Sequence, residues 1–66
     1  MHYIYAINAK TDMPVFAIHL SVIPRVGEEI ELNGDKNTYI VKKVVYRVST
    51  NPHCMDVIIY VNVCSK

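Results

Sequence analysis

The chain has 66 residues, a net charge of +1 and 52% hydrophobic residues. That length holds one domain at most. The near-neutral balance lacks the large basic excess of avid nucleic-acid binders, and no window is long and apolar enough to span a bilayer. A body this small buries only roughly 60% of its unfolded surface. Some of its apolar content must therefore lie near the outside, where a partner or a second copy can cover it.

His2-Tyr3-Ile4-Tyr5-Ala6-Ile7-Asn8 is rich in β-branched and aromatic residues and predicts a first strand. Ala9-Lys10-Thr11-Asp12 is polar and turn-like. Pro14 fits the start of a second strand, where its missing N–H costs least, and Val15 to Leu20 continues it. These two strands are expected to form a hairpin.

Pro24 fixes φ and biases Ile23 towards an extended shape. Gly27 tolerates positive φ, so the pair brackets a reversal into a third strand, Glu28 to Leu32. There Glu29 and Glu31 alternate with Ile30 and Leu32, one face wet and one dry. Asn33-Gly34 is a strong turn signal, and Asp35-Lys36-Asn37 lengthens the loop. The fourth strand, Thr38 to Val48, is long and mostly apolar on both faces, with a charge on each. Such a strand bends and shows different sides to the core along its length.

Ser49 to His53 reads as a loop, and Met55 to Val63 as a fifth strand with Val57, Ile59, Val61 and Val63 on one face. No segment has a helical apolar repeat. The expected fold is all-β: a small five-stranded antiparallel SH3-like barrel or strongly curled meander, forming one domain over residues 1–66.

The run Pro24-Arg25-Val26-Gly27-Glu28-Glu29-Ile30-Glu31-Leu32, then Tyr39-Ile40-Val41-Lys42-Lys43-Val44-Val45-Tyr46 and Val57-Ile58-Ile59-Tyr60-Val61, resembles small uncharacterised bacteriophage and prophage proteins. They share a P-x-V-G-[DE]-x-[IV]-x-[IL] entry, a short turn, and Y-x-V-x-x-V. The resemblance spans Val22 to Val61 and brings no functional residue with it. It implies a cytoplasmic protein made in a bacterial host, one that works by binding and modulating a host factor.

Catalysis needs convergent acids, bases or nucleophiles. The candidates are His2, His19, His53, Cys54, Cys64, Asp12 and Asp56. The nearest approach to a cluster is His53-Cys54 with Asp56, but adjacent residues of a strand point to opposite faces. No enzyme activity, cofactor or metal site is expected, since the histidines and cysteines lack the paired short spacing of zinc ligands. Cys54 and Cys64 lie ten positions apart, about 33 Å along one strand and out of disulfide reach. Two reduced thiols suit the cytoplasm. Met1-His2-Tyr3 carries no basic n-region before an apolar run, so no signal peptide is expected.

Glu28, Glu29 and Glu31 form an acidic edge. It reads either as a solvated face that discourages aggregation or as a patch steering a basic partner surface. With Tyr3 and Tyr5 it is the expected contact surface for a host protein. Tyr3, Tyr5 and the last strand also supply apolar area for a homodimer built on the terminal strands. The alternative partner is nucleic acid, held by Lys42, Lys43, Arg47 and Tyr46 as cations interleaved with a stacking ring. Against it, those rings also serve as core with wet hydroxyls, and the lysines as snorkelling stems.

Overall fold

The computed structural model describes residues 2–48 and 55–65, all in strands and their connections. The strands are β1 (His2–Asn8), β2 (Pro14–Leu20), β3 (Glu29–Glu31), β4 (Asn37–Val48) and β5 (Met55–Ser65). They form one sheet in the order β2-β1-β5-β4-β3. The all-β, five-stranded expectation holds, and the sheet curls into a half-barrel.

Two features depart from the expected antiparallel meander. β1 and β5 run parallel, with Ala6 opposite Ile59. The first and last strands of the chain therefore lie inside the sheet, and the edges are β2 and β3. The sheet stays open, because β2 and β3 do not pair with one another. Its accessible surface of 4855 Å² exceeds the about 4,300 Å² typical of a compact chain of this mass. The curl is still strong. Phe16 on β2 packs edge-on against Tyr39 on β4, ring centroids 5.0 Å apart, although two strands lie between them.

The core is the inner face of that curl. Ile4 and Ala6 from β1, Tyr39 and Val41 from β4, and Val57, Ile59 and Val61 from β5 are buried together. Phe16, Leu20, Ile23 and Ile30 pack around them. The alternation of β5 read from the sequence is thus the real one. That of β4 changes partway. Val41 pairs with Val61, but the next pairing is Lys43 with Tyr60, which leaves Lys42 as a bulge. Beyond it the inward side passes to Val44 and Tyr46, opposite Ile59 and Val57. One extra residue reverses the pleat and bends the strand.

The turns explain the strand limits. Gly34 has φ 83° and the Asp35 N–H donates to the Leu32 carbonyl at 3.0 Å, closing a tight turn over Leu32–Asp35. Leu32 is thereby drawn out of the ladder, and β3 is shorter than its alternation predicts. Gly27 has φ 92° in a second turn, where the Glu28 N–H reaches the Arg25 carbonyl. The Glu28 carboxylate closes the same turn by accepting from the Arg25 N–H. The Gly27 N–H and Glu28 carbonyl then hold Val41 of β4 next to the bulge. β5 runs to Ser65 because β4 offers it partners as far as Asn37.

Tyr39 is 3% exposed, and its hydroxyl donates to Asp35 Oδ2 at 2.6 Å. The other oxygen of Asp35 accepts from the Asn37 N–H. This ties the β3–β4 turn to the core. Hydrogen bonding to Asp35, then burial, raises the phenol above its ordinary 10.0, partly offset by Asn37. The folded chain thus holds that proton more tightly than the unfolded chain. The stability it contributes is present below about pH 10 and is lost as pH rises through the raised folded value.

Tyr39→Phe should cost about 1–2 kcal/mol near neutral pH. Denaturant titrations should also show that the wild type loses its advantage over Tyr39→Phe above pH 10. Equal stability of the two at neutral pH would show that the bond to Asp35 contributes nothing. Ile59→Ala should cost about 2–5 kcal/mol. Val48→Ala, at a site 70% exposed, should stay within about 0.5 kcal/mol.

Candidate binding face

The outer face is set by the residues that alternate with the core. On β1 these are Tyr3, Tyr5 and Ile7; on β5 they are Asp56, Ile58 and Tyr60. Past the bulge, β4 adds Lys43, Val45 and Arg47. β2 adds Ala17 and His19, opposite Tyr5 and Tyr3. Register therefore lays out parallel rows. One runs Ala17, Tyr5, Ile58, Val45, and the next runs Ile7, Tyr60, Lys43.

Ile58 is 7% exposed although it faces outward. It floors a depression of about 530 Å³ rimmed by Tyr5, Ala17, Arg47 and Asp56. Tyr3 and Tyr5, 42% and 40% exposed, meet edge to face with centroids 4.8 Å apart. The His19 ring tilts against Tyr3 at 4.5 Å. Three rings thus stand on each other, held at low entropic cost and open to solvent on one side. The Lys43 ammonium lies 5.8 Å from the centre of the Tyr60 ring, a cation–π contact.

The acidic residues are split. Glu29 and Glu31 are exposed on β3, opposite Ile40 and Thr38. They lie at the far border of the sheet from Tyr3 and Tyr5, with β4 and β5 between. Glu28 is committed to its turn.

The basic residues are also redistributed. Lys42 is the bulge residue, while Lys43 and Arg47 face outward with Tyr3, Tyr5 and Tyr60. Tyr46 sits on the inner side, 53% exposed at its rim, so it does not share a face with the two cations. Tyr39 is in the core.

Among the described residues, the candidate catalytic groups do not gather. Asp12 occupies a left-handed position at φ 59° in the β1–β2 loop, a conformation Asp tolerates. His19 packs on Tyr3. Asp56 lies opposite Arg47, and the exposed, free Cys64 lies opposite Thr38 towards the other end of β5. His53 and Cys54 fall outside the described residues. Among the described residues, no three His, Cys, Asp or Glu side chains could hold a metal together, and no helix is long and apolar enough to cross a membrane.

Sequence reasoning joined Tyr3 and Tyr5 with the last strand but did not place Ala17, His19 or Val45 on their face. Period two predicts which residues of one strand point together. Only strand order and register bring them side by side. No protein-family model matches the chain, and no curated protein or solved structure is significantly similar to it.

Proposed function

We propose that this is a non-enzymatic, phage-type accessory protein that acts in the cytoplasm of a bacterial host. It docks on a host protein through the outer face of its sheet and modulates it by steric block. The observation that carries this reading is the exposed Tyr3–Tyr5–His19 ring cluster standing beside the apolar floor at Ile58. Tyrosine supplies large contact area with few rotors to immobilise and is enriched at protein interfaces. Glu29 and Glu31 at the far border supply charge that steers a basic partner. The phage origin rests on the sequence pattern from Pro24 to Tyr46.

A second reading draws on Lys43 and Arg47, which share that face with Tyr3, Tyr5 and Tyr60. Cations beside exposed rings suit single-stranded nucleic acid. The acidic border and the net charge of +1 weigh against it.

The test is affinity capture from bacterial lysate, with and without nuclease, using wild type and Tyr3→Ala/Tyr5→Ala. A host protein retained in stoichiometric amount after nuclease, and lost at least tenfold with the double variant, is expected. Glu29→Ala/Glu31→Ala should slow association and flatten its salt dependence. Binding that vanishes with nuclease and falls steeply with salt would move the function to nucleic acid. Capture unaffected by the tyrosine variant would remove the outer face as the docking site.

A further inference from the structure

The two edges of the sheet are treated differently. β3 is three residues long and carries Glu29 and Glu31, both exposed. Short length and charge are the usual means of keeping an edge from pairing. β2 has seven residues, none of them Asp, Glu, Lys or Arg. Its only guards are at its start. Pro14 lacks an N–H, and the pairing with β1 jumps from Phe16–Ala6 to Pro14–Ile7, leaving Val15 as a bulge. The run Phe16–Leu20 is regular. Among the described residues no loop and no side chain hydrogen-bonds to its backbone from outside the sheet.

We propose that two copies of the chain pair through this run, antiparallel, with Ile18 on the two-fold axis. That register follows from the strand itself. It uses every regular residue and leaves Pro14 and Val15 outside the ladder. It sets Phe16 opposite Leu20 of the second copy and Ile18 opposite Ile18, all on the inner face. Ala17 then lies opposite His19 on the outer face.

A second copy is the occupant the chemistry favours, for three reasons. The run brings no like charges together when it meets itself. Its inner residues alternate so that antiparallel self-pairing matches apolar to apolar on every rung of that face. Phe16 and Leu20 already pack on the core, whereas Ile18, half-buried, is not among the residues packed there. Pairing would continue the apolar inner face from one copy into the next and cover Ile18. An interface of one strand per copy lies at the small end, below about 1,200 Å², so the dimer is reversible.

Sedimentation equilibrium from about 10 µM to 1 mM tests it, the range in which small interfaces dissociate. Wild type should rise from 7.6 kDa towards twice that mass. Ala17 and His19 are exposed, so Ala17→Lys/His19→Lys and Ala17→Glu/His19→Glu should fold, as circular dichroism would verify. Each alone should weaken the dimer at least tenfold by like-charge opposition, and an equimolar mixture should dimerise again. A wild type that stays monomeric at 1 mM would overturn the proposal. So would charged variants that dimerise like wild type, or a mixture that fails to recover. Sedimentation of the isolated chain reads pairing with no host protein present, so loss of host-protein capture leaves this result unaffected.

Discussion

The parallel pairing of β1 with β5 is the contact on which the rest of the structure depends. Without it the chain is a hairpin, β1–β2, and a three-stranded meander, β3–β4–β5. A two-stranded hairpin is marginal in water. Ile4 and Ala6 come from the hairpin, and Val41, Val57, Ile59 and Val61 from the meander. The core exists only when the two units join along Ile4–Asn8 and Val57–Val61. These contacts close nearly the whole chain, so their loop entropy must be met before the core returns any stability.

The same pairing decides what the protein shows to others. It places both terminal strands inside the sheet, so their surplus apolar residues lie on a face and not along an edge. The Lys42 bulge completes that face. Had β4 kept one pleat throughout, Val45 and Arg47 would point inward with Val41, and Tyr46 would stand outside. The extra residue turns Lys43, Val45 and Arg47 outward, beside Tyr60, Ile58 and Asp56. A basic-and-aromatic stretch of sequence is thereby divided between two faces, and a new grouping of rings and cations forms from three strands.

An open half-barrel also leaves a problem that a closed one avoids. Its two edges present unpaired backbone groups. β3 meets this with brevity and glutamates. Phe16–Leu20 of β2 carries no such device, while Pro14 and the Val15 bulge confine the open stretch to five residues. The β2 edge and the tyrosine face adjoin at Ala17 and His19, which lie opposite Tyr5 and Tyr3.

The sequence by itself determined the five strands, the turns at Gly27 and Gly34, and the inward face of β5. These are local matters, since period-two alternation, proline geometry and positive φ act over a few neighbouring residues. Bending of β4 was legible as a pattern apolar on both sides, but the bulge position was not, because it depends on Glu28 and Gly27 holding Val41 across the turn. Tyr3 and Tyr5 were legible as surplus aromatic area. That Ala17 and His19 stand beside them was not. Strand order, the parallel sense of β1 and β5, and hence the makeup of the outer face and the identity of the edges were decided by tertiary structure alone. They follow from which arrangement buries Ile4, Ala6, Val41, Val57, Ile59 and Val61 together, and that depends on contacts between residues more than fifty positions apart, such as Ala6 and Ile59.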